Sequence, residues 1–486
     1  MSNITKAVSL KVSAPRRPAL CAVLAGSTLM LLGLAGCSLA PDYHRAALPL
    51  PPHATQSLAE SSALDSLPDW QRLVKNQGLL DLIQQALAQN TDLRQVLLNV
   101  AVAKTQYGVQ RSEQLPHLQI QASSNRQLDS ADLSGYGGRH VDQSLRAGIG
   151  LTAFELDLFG RMQNLSEAAL QQYLAVEANA KAARLSLVTE LMTQYISYQS
   201  VQQQLALTTY TWQSRVQELS LIQQKIALGA ANNLEVQDAL GLEQSAKAEL
   251  HLLERKRDQL KHSLQLLVGH VDVTPYLTQS YGTEVLALSS IQTGLSSELL
   301  LQRPDIIAAE RQLQAQHAQI GVARAAFFPR ISLTGFLGSA SSELSDLFGS
   351  DQRVWSFVPE LSVPLFDAGS RSANLTLAEL RKDIAVAAYE RQIQIAFREV
   401  SDALTAVDRL QPELAARQSF ALATMESRKI AQKRYQTGVD SQLRYLDAQR
   451  QSYSAQQAAI QTNEQLQHAQ VSLYKALGGG WQTKAS

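Results

Sequence analysis

The chain has 486 residues, with 43 Lys+Arg against 43 Asp+Glu, 18% charged residues and 6% aromatics. Zero net charge removes the electrostatic footprint of a nucleic-acid binder, two cysteines can build neither a disulfide framework nor a zinc ribbon, and a mean hydropathy of -0.13 is not that of a disordered chain. A chain this long buries a core or divides into several domains.

Residues 1–36 read as a secretion signal. Lys6, Lys11, Arg16 and Arg17 form a basic start without an acid, Ala19 to Leu34 is apolar, and small residues lead to Cys37. The apolar run is shorter than the roughly 20 residues that span a bilayer, so a transmembrane helix is the weaker reading. Leu34-Ala35-Gly36-Cys37 resembles the bacterial lipobox, which implies cleavage before Cys37 and a lipid, palmitate included, on that residue. Ser38, where an Asp would retain the protein, resembles the sorting pattern for the outer membrane. Cleavage also removes Cys21, so no disulfide is expected. Residues 37–75, with Pro41, Pro49, Pro51, Pro52 and Pro68, are expected to form a lipidated extended tether.

The remainder is one unit written twice, over 76–285 and 286–480, with a tail at 481–486. Asp92, Gly108-Val109, Arg111, Pro116 and Leu118-x-Ile120 recur in register as Asp305, Gly321-Val322, Arg324, Pro329 and Ile331-x-Leu333. After one change of offset between Pro116 and Gly160, Gly160 pairs with Gly369, Gly229 with Gly438, Leu234 with Leu443, Asp238-Ala239 with Asp447-Ala448, and Gly269 with Gly478.

Each copy opens with a helical stretch, broken near Asn90-Thr91 or Arg303-Pro304, that Pro116 or Pro329 ends. A strand hairpin follows, at 117–159 and 330–367. Its period-two residues are Leu118, Ile120, Ala122 and Leu145, Ala147, Ile149, Leu151 in the first copy, then Ile331, Leu333 and Phe357, Leu361, Val363, Leu365 in the second. Gly135 to Gly138 and Ser339 to Gln352 read as loops.

From Arg161 to Leu228 there is neither Gly nor Pro, which gives a long helix of roughly 100 Å. Gly229 stops it, Asn232 or Asn233 caps the next, and a return helix runs over 233–268. The second copy repeats this, with a long helix at 371–437, a turn at Gly438 and a return helix at 441–477; Pro412 is expected to kink or locally break the long helix near Arg409.

No stretch after the signal is apolar enough to span a bilayer as a helix, so membrane entry would have to use strands. Four strands cannot close a barrel, since the smallest transmembrane barrels have about eight, so several chains must contribute to one. The fold expected is mainly α with a small transmembrane β part, its long antiparallel hairpins suited by polar surfaces to a hollow sheath.

Arg303-Pro304-Asp305-Ile306-x-Ala308-Ala309-Glu310, followed by Ile320-Gly321-x-Ala323-Arg324-Ala325-x-Phe327-Phe328-Pro329-x-Ile331-Ser332-Leu333-Thr334-Gly335, resembles the signature of the outer membrane efflux proteins. More narrowly, it is similar to the NodT-type lipoproteins among the TolC-like channels. The resemblance implies a homotrimer with a shared 12-stranded barrel in outer-membrane lipid and a helical periplasmic tunnel. It further implies two partners, a periplasmic adaptor (membrane fusion) protein and an inner-membrane resistance-nodulation-division pump, for efflux of drugs and other toxic compounds. Protein export with an ABC-type partner uses the same scaffold, and a structural coiled-coil envelope lipoprotein, which needs no strands, is the alternative from another class.

The same resemblance puts the periplasmic gate at Arg434-Tyr435 and Leu443 to Arg450, with Asp447 in the gate position and Arg434 and Tyr435 bonding adjacent helices. Arg444 stands where some relatives have a second aspartate, and a solvent-exposed Arg444–Asp447 pair is the bland alternative. Gly229 and Gly438 mark the helix-turn tips. No enzyme is expected: there is no phosphate loop and no H-E-x-x-H pair, and the one mature thiol would be lipidated. His251 and His262 read as a solvated face, so no metal and no cofactor is implied.

Overall fold

A computed structural model describes residues 38–45, 70–130, 138–229, 231–277 and 301–479. The signal, Cys37 and the tail at 481–486 lie outside them. The chain forms two compact units. One takes in Tyr107–Ala169, Ala315–Arg381 and the residues up to Tyr43; the other takes in His44–Gln106, Leu170–Gln314 and Lys382–Ser486. Among the described residues no helix is long and apolar enough to cross a membrane.

The first unit is built on one antiparallel sheet of β1 (Leu118–Asp129), β2 (His140–Leu156), β3 (Arg330–Ser341) and β4 (Arg353–Ser362), in that spatial order. The register aligns Ile120, Ile149, Leu337 and Trp355 in one row, and all four are exposed. Leu118, Leu151, Gly335 and Phe357 form the next row on the same face. The opposite face of β1 carries Gln119, Gln121, Ser123, Asn125 and Gln127. Period-two alternation therefore gives the sheet one apolar and one polar side, although neither is covered among the described residues.

Gly148 and Gly338 face each other across β2 and β3, and a β-carbon on either would strike the backbone of the opposite strand. Phe336 from β3 reaches to 2.9 Å from the place that carbon would take at Gly148. Near its end β2 bulges between Leu151 and Phe154; Ala153 there has φ 44 and donates its N–H to the Thr334 hydroxyl at 3.3 Å. Two strand limits differ from the sequence reading. β3 continues through Ser341, because Ser339 to Ser341 pair with β2, and β4 stops at Ser362, short of Val363 and Leu365, which have no neighbouring strand.

Ahead of the sheet, residues 38–43 lie along the end of α7 (Pro304–Ala325). The Ser38 hydroxyl donates to Asn164 at 3.0 Å, Arg324 donates to the Leu39 carbonyl at 3.4 Å, and Tyr43 meets His317 edge-on. A β-carbon at Gly321 would come within 2.9 Å of the Ala40 nitrogen, so the missing side chain is what admits this segment.

The second unit holds the main core. Trp70, Leu73 and Val74, α2 (Gln77–Gln89), α4 (Arg161–Ala227), α5 (Asn233–Val268) and α9 (Gln442–Ala476) bury Leu79, Leu82, Ile83, Leu191, Tyr195, Leu264 and Tyr474 together. The extended tether therefore cannot reach residue 75. α1 (Trp70–Leu73) is already helical and its apolar side chains are buried, which outweighs the Pro-rich composition just before it.

Both copies close by the same contact. Asn90, between α2 and α3 (Thr91–Ser112), donates to the Leu267 carbonyl at 2.9 Å; its counterpart Arg303 donates to the Ala476 carbonyl at 2.7 Å, and these two carbonyls occupy equivalent places at the ends of α5 and α9. The repeated glycines behave alike as well. Gly160 and Gly369, Gly229 and Gly438, and Gly269 and Gly478 all have positive φ, a conformation that costs other residues about 1 kcal/mol or more.

α8 (Ser370–Gln436) runs unbroken through Pro412, so of the two outcomes expected there the local break is absent. Pro412 and Asp408 both sit on the exposed side, where water can take the carbonyl that the ring leaves without a donor. The missing bond is one among the many of a 67-residue helix.

Arg303 is almost fully buried and pairs with Asp305 and Glu399, each at 2.7 Å. Burial works to raise the Asp305 carboxyl, but the Arg303 hydrogen bonds and charge outweigh it and hold the group below its usual range. A carboxyl depressed in the folded state contributes stability that is complete above its unfolded pKa and lost as pH falls through the lower folded one. Arg303→Met should cost roughly 3 kcal/mol in a denaturant titration at neutral pH. The gap from wild type should close only in acid, below the ordinary carboxylate range; a gap that is absent at neutral pH would refute the assignment.

Candidate functional site

The two helical turns carry most of the residues that the sequence singles out. At the first, the Gly229 N–H bonds back to the Ile226 carbonyl at 2.9 Å, and Asn232 caps α5 by accepting from the Glu235 N–H at 3.0 Å. At the second, Gly438 N–H reaches the Tyr435 carbonyl at 3.0 Å and Val439 N–H the Arg434 carbonyl at 2.9 Å, a Schellman closure. Ser441 then caps α9, in the repeat position of Asn232.

This tight closure folds Asp440 back onto Arg434. The guanidinium grips the carboxylate with two bonds, of 2.8 and 3.1 Å, and Arg444 approaches the same carboxylate at 3.5 Å. Hydrogen bonds from Arg434 hold the Asp440 carboxyl below its usual range, against the effect of burial. Tyr435 stacks on Tyr445 with ring centroids 5.6 Å apart, and the Lys225 ammonium lies 4.9 Å from the Tyr435 ring and 3.4 Å from its hydroxyl. Tyr435 thus links α8 and α9 to the end of α4.

Arg434, Tyr435 and Arg444 are brought together, and Asp447 is not among them. Asp447 is exposed and pairs with Arg450 at 3.2 Å, while Arg444 turns to Asp440, so the Arg444–Asp447 pair is replaced by two others. Sequence reasoning assigned no role to Asp440, Tyr445 or Lys225. Asp440 could have been found from its place two residues after the turn glycine. Lys225 could have been found from the repeat, since it is the counterpart of Arg434 in a copy that has Ala231 in place of Asp440.

Above the tip the seam between α4 and α9 is polar. Gln449 donates to the Glu218 Oε2 at 3.0 Å, and Thr208 and Tyr453 share a hydrogen bond of 2.7 Å. Arg215 donates to the Leu242 carbonyl of α5 at 2.7 Å. Among the described residues no cluster of three or more His, Cys, Asp and Glu could hold a metal, and His251 pairs with Glu254 at 2.9 Å.

The profile of the family described as outer membrane efflux protein matches residues 82–270 and 295–479, both copies of the repeat. The chain belongs to the outer membrane efflux protein family. Outer membrane protein OprJ of Pseudomonas aeruginosa is 47% identical over 455 residues, covering 93% of this chain and 95% of OprJ. The solvent efflux pump outer membrane protein SrpC of Pseudomonas putida is 42% identical, over 93% of this chain and 97% of its own. A crystal structure of a membrane protein from Pseudomonas aeruginosa superposes with a TM-score of 0.86 at 47% identity, over 92% of this chain and 98% of that one. In this outer membrane efflux protein, then, the Asp440 cluster occupies the turn of the second repeat.

Replacing Asp440 by Asn should release Arg434 and Arg444 from their shared partner. Limited trypsin digestion should then cut after these two arginines several times faster than in wild type. An unchanged cleavage rate would mean that Asp440 does not restrain the turn.

Proposed function

We propose that the protein is the outer-membrane exit duct of a tripartite efflux pump, a homotrimer that works with a periplasmic adaptor and a resistance-nodulation-division pump. The observation that carries this reading is the sheet. One face is apolar, the other is polar, and both edge strands are open, as suits a sector of a barrel with lipid outside and water inside. Cargo moves through the duct passively and the protein does no chemistry of its own. SrpC is named for solvent efflux, and drugs or other small toxic compounds are the cargo class we assign here. Cys37 carries the lipid anchor that follows removal of the signal.

Repetition supports one way of joining the copies. Within the chain β2 pairs with β3, so between chains β4, the counterpart of β2, meets β1 of a neighbour, the counterpart of β3. Carrying Phe154↔Leu333 and Leu156↔Ile331 across by the repeat sets Val363 opposite Ile120 and Leu365 opposite Leu118 of the neighbouring copy. All four are exposed in the single chain. Pairing would extend β4 beyond Ser362 and remove the open edge.

Gating is assigned to the tip. Arg434 and Tyr435 hold the second hairpin in its packed position, with Arg444 as a second cation on Asp440. Asp447, exposed and apart from that cluster, is assigned to the aperture, where three copies would concentrate cations.

Two measurements test the reading. With cysteines at 120 and 363 in one chain, mild oxidation should give covalent dimers and trimers on a denaturing gel; monomers alone would refute the register. In planar bilayers, Arg434→Ser combined with Tyr435→Phe should raise conductance several-fold over wild type. A chain that never conducts, with or without these changes, would rule out the duct.

A further inference from the structure

Glu218 stands apart from the tip cluster and is explained by none of the roles above. Its carboxylate lies in the seam between α4 and α9, where Oε2 accepts from Gln449 Nε2 at 3.0 Å. The Glu218 Oε1 is buried without a hydrogen-bond partner, and so is the Gln449 Oε1. The remaining arms of two planar groups already joined at one side are thus both acceptors. A single proton resolves the conflict: on Glu218 Oε1 it can be donated to Gln449 Oε1, closing a reciprocal acid–amide pair, while Gln449 also hydrogen-bonds Tyr445. An ionised Glu218 leaves both acceptors buried without a donor instead.

Of the charged and titratable groups around this pair, Arg215 and Lys225 lie on α4 itself and Tyr445 on α9, with Arg428 of α8 facing Tyr445. Neither cation cancels the carboxylate directly. Arg215 is turned to the Leu242 carbonyl of α5 and the Tyr453 ring, and Lys225 to Tyr435.

The geometry points to Glu218 as a proton-operated latch: protonated, it clasps α9 to α4 through Gln449, and ionised, it loosens that seam, so that the tip yields more readily as pH rises. The latch rests on the exit-duct reading for its effect on conductance. Burial pushes the Glu218 carboxyl above its usual value, against the Gln449 hydrogen bond and the charges of Arg215 and Lys225. A group that holds its proton more tightly in the packed seam than in water favours the packed seam at low pH and the separated one at high pH. Asp440 is shifted the other way, so loss of its pair with Arg434 in acid would loosen the tip at low pH and cannot mimic this response.

The test uses the full-length channel in planar bilayers between about pH 5 and about pH 8, where each subunit's one proton contributes a factor of at most about ten per pH unit to the ratio of open to closed. Wild type should open more as pH rises. Glu218→Gln, whose amide can donate to Gln449 at every pH, should stay at the low level with a flat profile. Infrared titration should show a protonated carboxyl band in wild type, persisting above the ordinary carboxylate range and missing from Glu218→Gln. A Glu218→Gln channel with the wild-type pH profile, or a band unchanged by the substitution, would overturn the latch. A wild-type chain that never conducts would instead defeat the exit-duct reading, and the infrared band would still decide whether Glu218 holds the proton.

Discussion

An antiparallel sheet whose edges are both open can rest in hydrocarbon only if other strands take up its unpaired N–H and C=O groups. That constraint governs the rest of the structure. It makes the single chain an incomplete object, with β1 and β4 waiting for partners and Val363 to Leu365 outside any strand. It also accounts for the value of duplication, because a chain that already contains the pairing of β2 with β3 carries within itself the template for joining one copy to the next.

The copies are alike where geometry rules and unlike where chemistry does. Turn glycines recur in matched pairs with positive φ, since no other residue takes that conformation at so little cost. The closing contact keeps its acceptor carbonyl at the end of the return helix but changes its donor, a neutral amide at Asn90 and a guanidinium at Arg303. At the tips, Lys225 and Arg434 are counterparts, yet only the second copy supplies an acid in the turn. Lys225 is therefore left to reach the Tyr435 of the other hairpin, which converts a missing aspartate into a contact between repeats.

Much of this could be read from the sequence, because alternation and glycine placement are local signals. The rows of Leu118, Ile120 and Ile149, the stops at Gly229 and Gly438 and the two long helices needed no knowledge of distant contacts. Pro412 misled because a helix of such length loses little with one bond. Trp70 to Val74 misled because composition read as a tether says nothing of the core these side chains enter. Within the site, Arg434, Tyr435 and Arg444 were visible as a group, but their common focus on Asp440 depends on how sharply the turn closes. Glu218 carries no local signal: its partner lies in the other repeat, and only the burial of two unpartnered acceptors distinguishes it from any other glutamate on a helix.

The facing pair Gly148 and Gly338 also bears on the bore of the duct. Phe336 belongs to the polar side of the sheet, where a standing aromatic ring would crowd the passage and present an apolar obstacle to water. With no side chain at Gly148, the ring can lie down across the neighbouring strand, and Gln121 lies over Gly150 in the same way. Two bulky groups are stowed flat against the wall, so that clearance is gained from what the adjacent strand omits.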